Sequence, residues 1–169
     1  MAETCRQFLE DCGVNPDRLA LEWASAAEAP RFVELITGYV ARIKDTGPLG
    51  SAEGEVDAKT MRRRLKAAVK AAGARKPRTV LGNLAKRLAK EGDYSKEAIA
   101  KGVSSKILPA LRAERIAAEA LMLLDNESMT TSELAKACGA SEEELEKLLA
   151  TMVKRGKVRE EGGRYAAVS

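Results

Sequence analysis

The sequence contains no histidine, a single tryptophan and few aromatic residues of any kind, 4% in all. Without imidazole there is no His general base, no Ser-His or Cys-His nucleophile pair and no zinc site of the kind that needs a His ligand. A self-contained hydrolase or metalloenzyme is therefore disfavoured. Cysteine is scarce too: Cys5, Cys12 and Cys138 are an odd number and lack the close repeated spacing of a metal site or disulfide framework. Cys5 and Cys12 stand two helical turns apart and can share a helix face, where apolar packing is the favoured reading. No apolar run approaches the roughly 18 to 20 residues that span a bilayer. The N-terminus has neither the basic nor the apolar region of a secretory signal, so the chain reads as cytoplasmic.

What the sequence has is charge, unevenly spread. Residues 1–57 hold 5 Lys/Arg against 11 Asp/Glu, residues 58–115 hold 17 against 4, and residues 116–169 hold 7 against 10. A basic middle thus lies between two acidic ends. The stretch GPLGSAEGEVDA, residues 47–58, marks the first boundary by its Gly, Pro, Ser and acidic content, and a linker is placed at 50–57.

Before that linker the pattern reads helix, strand, helix. Residues 2–12 form a helix ending at Gly13, and Val14-Asn15-Pro16-Asp17 is a turn. Residues 18–25 alternate, with Leu19, Leu21 and Trp23 on one side and Ala20, Glu22 and Ala24 on the other, which predicts a short half-buried strand. Phe32, Leu35, Ile36, Tyr39, Val40 and Ile43 then make one apolar stripe of an amphipathic helix that stops before Gly47-Pro48. Such a strand and helix are half of a βα unit, and a lone strand needs partners from elsewhere. Between them, Ser25 and Glu28 have capping-box spacing, yet Pro30 would then remove a bond in the first turns. Either the first turn is irregular or SAAE is a tight loop with regular helix from Pro30, and the second is favoured. Trp23 on this reading is a core aromatic on the strand's inner face.

The middle is helical and basic. Met61, Leu65, Ala68, Val69 and Ala72 share a face, and Gly73 and Pro77 interrupt the helix. Val80, Leu81, Leu84 and Leu88 then form a second stripe up to Glu91-Gly92-Asp93. Arg62, Arg63 and Arg64, with Arg75, Lys76 and Arg78, form a candidate basic patch for phosphates or an acidic protein surface; the alternative is a solvated helix face.

Residues 107–169 form the clearest unit. A helix through Ile116, Ala120, Leu123 and Leu124 precedes two helix starts, at Thr130 to Glu133 and at Ser141 to Glu144, and KVREEGGRYAAV reads as a hairpin around Gly162-Gly163. Three helices and a hairpin resemble a winged helix, a pattern with many unrelated roles. In a DNA-reading winged helix the N-terminus of the recognition helix approaches phosphates and bases, and here that end reads Glu142-Glu143-Glu144. Lys154, Arg155, Lys157 and Arg159 are the candidate nucleic-acid-binding residues, and a protein-docking role is preferred. The fold class is thus mostly α with a small α/β segment. A partial βα unit covers 1–49, a basic helical region 58–106 and a winged-helix-like domain 107–169.

Residues 6–48 carry a resemblance. Leu9, Gly13, Arg18, Leu19, Glu22, Trp23, Ser25, Ala26, Glu28, Phe32, Gly47 and Pro48 occur in the order seen in the C-terminal part of the methyl-viologen-reducing hydrogenase delta-subunit family. The resemblance implies a subunit passing electrons between a hydrogenase or formate dehydrogenase and a heterodisulfide-reductase-like flavoprotein through a 2Fe-2S cluster. That family's cluster-binding cysteines lie N-terminal to the matching segment and their motifs are absent here. The chain is therefore expected to bind no cofactor itself, the cluster residing in a missing half or in a partner. Either the chain is split and docks on a cluster-bearing partner, or its reading frame is started late at Met1, as an in-frame selenocysteine codon read as a stop would produce. The expected function is an accessory or C-terminal portion of such an electron-transfer subunit, contributing assembly contacts through Trp23, Ser25, Glu28 and Phe32. The alternative is a winged-helix DNA-binding regulator.

Overall fold

The computed structural model describes residues 1–25, 27–54 and 56–168. Ala26, which the resemblance includes, and Glu55, in the expected linker, lie outside the described residues, as does Ser169. The chain divides into two compact units, Met1–Met61 and Arg62–Ser169. Its elements are helices α1 (Ala2–Asp11), α2 (Ala29–Thr46), α3 (Ala58–Gly73), α4 (Arg75–Glu91), α5 (Lys96–Gly102), α6 (Leu108–Leu124), α7 (Thr131–Cys138) and α8 (Glu142–Lys154), then strands β1 (Val158–Glu161) and β2 (Arg164–Ala167). The fold is mostly helical with one small antiparallel sheet near the C-terminus.

In the first unit, α1 ends where glycine permits it. Gly13 has φ 87°, its N–H donates to Glu10 O at 2.8 Å, and Val14 N–H reaches back to Leu9 O at 2.9 Å. These are the two bonds of a Schellman motif, which satisfies carbonyls the helix leaves open. A short 3-10 turn, Pro16–Arg18, follows, its first turn held by Asn15, whose side chain accepts from Asp17 N–H at 2.9 Å.

The strand expected over residues 18–25 does not form. Residues 19–25 adopt no regular structure, and no described residue pairs with the backbone of residues 20–24. The alternation is real, but a strand needs a second strand, and among the described residues both strands are spent on the C-terminal hairpin. Ser25 and Glu28 close on each other ahead of the helix: Glu28 Oε2 accepts from Ser25 N–H at 2.8 Å, Ser25 O accepts from Glu28 N–H at 2.9 Å, and helix starts at Ala29, one residue ahead of Pro30. Proline stands in the first turn, where its missing N–H has no partner to lose.

In the second unit, Ile116, Ala120 and Leu124 of α6 pack with Leu134, Ala135 and Cys138 of α7, Leu145, Leu149 and Met152 of α8, and Val158 of β1. Thr130 and Glu133 complete a capping box at the start of α7, Gly139 closes it at φ 64°, and Ser141 caps α8. The hairpin registers Val158 with Ala167 and Glu161 with Arg164. Its turn places Gly162 at φ 59° and Gly163 at φ 77°, the pair of positive angles that a two-residue turn matched to strand twist demands. Met129 adds an antiparallel bridge to Tyr165. Between α5 and α6 a π-helical turn, Val103–Ile107, carries buried Val103 and Ile107.

Candidate docking surface

The first unit exposes what an isolated domain would bury. Helix α2 has no buried residue although its apolar stripe is the one expected. Phe32 is 57% exposed, and Val33, Ile36 and Val40 are also open to solvent. Trp23 is 79% exposed and Leu21 60%. The expectation of a core tryptophan is overturned: Leu21 and Trp23, on the apolar side of the alternating segment, point outward, while Ala20, Glu22 and Ala24 line an open groove with Phe32, Leu35, Ile36 and Tyr39. The groove holds about 400 Å³.

This surface is held in place by Arg18. Its Nη1 donates to Gly47 O at 2.8 Å and its Nη2 to Pro48 O at 2.8 Å, so one guanidinium caps the C-terminal end of α2. The same side chain pairs with Glu53, whose other oxygen accepts from Gly50 N–H at 2.7 Å. The Arg18 guanidinium holds the Glu53 carboxyl below the usual carboxylate range. The Tyr39 hydroxyl donates to Arg18 O at 2.6 Å and ties the preceding turn to the middle of the helix. Arg18, Gly47 and Pro48 thus make one clamp. Among the expected contact residues, Trp23 and Phe32 present apolar surface, whereas Ser25 and Glu28 hold the intervening loop.

The residues of the expected basic patch separate. Arg62, Arg75, Lys76 and Arg78 are exposed. Arg63 and Arg64 turn inward to a charge cluster that sequence reasoning missed. Arg63 Nε donates to Glu119 Oε1 at 2.9 Å, Arg115 Nη1 donates to Glu119 Oε2 at 2.8 Å, and Arg64 Nε lies 3.9 Å from the same carboxylate. Glu119 is fully buried, and that burial pushes its carboxyl above the ordinary range against the pull of the arginines. Arg63 Nη2 also donates to Ala137 O at 3.0 Å, and Arg112 Nη2 to Gly139 O at 2.9 Å, so cations meet the carbonyl end of α7. The only advance signal was Glu119 on the apolar face of a helix, three residues from Ile116.

At the hairpin end, Lys154, Arg155, Lys157 and Arg159 are all exposed, and Arg159 pairs with Glu161 at 3.5 Å. The thiols do not form a ligand set. Cys5 is exposed and Cys12 buried, and burial pushes the Cys138 thiol up to about 12, far from the thiolate a metal requires. Among the described residues no group of three or more His, Cys, Asp or Glu could hold a metal ion. Among the described residues no helix is long and apolar enough to cross a membrane.

Comparison with known proteins gives this surface a context. Residues 1–47 match the model of the methyl-viologen-reducing hydrogenase delta-subunit family. The chain is similar to a ferredoxin:CoB-CoM heterodisulfide reductase subunit of Methanosarcina mazei, 37% identical over 49 residues, which are 29% of this chain and 6% of that protein. It is also similar to an F420-non-reducing hydrogenase iron-sulfur subunit of Archaeoglobus profundus, 38% identical over 42 residues, 25% of this chain and 31% of that one. The chain thus spans less than a third of the length of either relative. No solved structure matches it.

Proposed function

We propose that the chain is an accessory or C-terminal portion of a cytoplasmic electron-transfer subunit, and that it supplies assembly contacts rather than redox chemistry. Its partners on this reading are a heterodisulfide-reductase-like iron-sulfur flavoprotein and subunits of a hydrogenase or formate dehydrogenase. Any 2Fe-2S cluster is held by a partner or by a cysteine-bearing segment outside residues 1–169. The observation that carries the reading is a coincidence of place. The residues that match the hydrogenase delta-subunit family, 1–47, are those whose tryptophan, phenylalanine and α2 stripe stand uncovered beside the groove. Exposed aromatic and aliphatic surface of this kind marks an interaction site. A centre of aromatic anchors is where binding energy concentrates.

In this role residues 107–169 act as a winged-helix-like module that docks protein. Exposed Glu142 and Glu143 at the start of α8 oppose approach to phosphates and favour a protein partner. Affinity purification of the tagged chain from its native host tests the proposal. Recovery of flavin- and iron-bearing subunits in fixed proportion supports it; a chain isolated free of them, at low and high salt alike, contradicts it.

A further inference from the structure

We infer that the exposed face of α4, with the adjoining end of α3, binds the phosphodiester backbone of a nucleic-acid duplex without reading its sequence. This goes beyond the docking role of residues 1–47 and does not depend on it. Helix α4 carries Arg75, Lys76, Arg78, Lys86, Arg87 and Lys90 against one acidic residue, Glu91, with which Arg87 pairs at 3.8 Å. Its buried side is Pro77, Leu84 and Leu88, so the six cations occupy the remaining, solvent-facing sides. Lys66 and Lys70, one turn apart and exposed on α3, lead into the turn at Gly73.

Three features favour phosphates over a protein surface. The first turn of α4 holds Arg75, Lys76 and Arg78, no acidic residue and no side-chain cap, so positive side chains crowd the positive end of the helix dipole. That arrangement is unfavourable for the helix alone and is relieved by an anion. The cations are interleaved with Gly82, Ala85 and Ala89, all exposed, which leave room for a backbone to approach closely. Finally, α3 and α4 together expose one large apolar side chain, Val69, and no aromatic. Protein interfaces centre on aromatic and aliphatic anchors and are depleted in lysine, whereas phosphate contacts need only charge. From Arg75 to Lys90 the cations extend over roughly 22 Å of helix, enough to meet several phosphates. Contacts to phosphate oxygens carry no sequence information, so binding through this charged face is indifferent to base order.

Fluorescence anisotropy of the full chain with two labelled duplex DNAs of unrelated sequence tests the inference. Both are expected to bind with affinities within about twofold, and both to lose on the order of a hundredfold between about 50 and 200 mM salt, as contact with about four phosphates requires. Joint reversal by Lys76→Glu, Lys86→Glu and Lys90→Glu is expected to abolish binding with the far-UV circular dichroism unchanged. Should that protein lose helix, Lys86→Gln and Lys90→Gln are each expected to lower the salt slope by about 1. Reversal at the hairpin, Lys157→Glu with Arg159→Glu, is expected to leave binding intact. The inference is overturned by absence of binding at low salt, by binding indifferent to salt, by loss on hairpin reversal alone, or by capture of polyglutamate in preference to DNA.

Discussion

Arg18 reaches from a 3-10 turn to donate to the carbonyl oxygen of Gly47 at 2.8 Å, and both residues lie within the span that the family comparison covers. Because the same guanidinium neutralises Glu53, Arg18→Ala removes a helix cap and leaves a buried carboxylate without its cation. The expected cost is on the order of 2 kcal/mol, since hydrogen bonds to charged groups exceed neutral ones. Amide exchange in the last turn of α2 should quicken while that of α7 and α8 stays unchanged. The carboxyl of Glu53 titrates below its ordinary range. Its contribution is therefore present above the ordinary carboxyl value and lost as pH falls through the lowered one. Arg18→Ala should shrink that acid-side loss, leaving the part owed to the Gly50 and Ala52 N–H groups that also donate to Glu53.

Glu119 is the buried carboxylate at the centre of the second unit's arginine cluster. Glu119→Ala leaves the Arg63, Arg64 and Arg115 charges without their shared anion and should cost about 3 to 5 kcal/mol in urea unfolding. For wild type the raised carboxyl value sets the sign. The folded state holds the proton at a pH where the unfolded state has released it, so this group's effect on stability declines as pH rises from the ordinary carboxyl value through the raised one. Glu119→Gln should flatten that slope.

Helix α7 is held at both ends by local chemistry, the Thr130 and Glu133 box and the left-handed Gly139. Thr130→Ala should cost about 1 kcal/mol. Gly139→Ala should cost about 1 to 2 kcal/mol from the backbone angle. Its Cβ would also stand 2.7 Å from Arg64 Nη2, which must move. Thermal unfolding of the two single variants checks both values.

Trp23 is the single tryptophan and lies outside any core. Trp23→Ala should change unfolding free energy by less than about 0.5 kcal/mol, as exposed substitutions do. The wild-type emission maximum should match that of a solvated indole, and a blue-shifted maximum in the isolated chain would show the ring to be covered.

Local signals made much of this fold legible. Gly13, Thr130, Ser141, Gly139 and Gly162-Gly163 each act through a backbone rule confined to a few residues, and each stands where its rule puts it. The tertiary destination of a pattern was less legible. Alternation at residues 19–24 specifies two faces, and only a pairing partner decides whether they belong to a strand; here the apolar face turns to solvent. Arg62, Arg63 and Arg64 are equivalent in sequence, yet their steps of about 100° around α3 send Arg62 outward and its neighbours toward Glu119, an anion 56 residues from Arg63. Of the candidate contact loop, the composition was readable, but the division between Trp23 and Phe32 as surface and Ser25 and Glu28 as scaffold required the hydrogen bonds.

The most direct test of the central claim is calorimetric titration of a heterodisulfide-reductase-like flavoprotein with the wild-type chain and with the Trp23→Ala, Phe32→Ala double variant. Loss of two aromatic anchors should weaken binding by about thirtyfold or more, equivalent to roughly 2 kcal/mol, with circular dichroism unchanged. Equal affinity for the two proteins would contradict the assignment of this surface to partner docking.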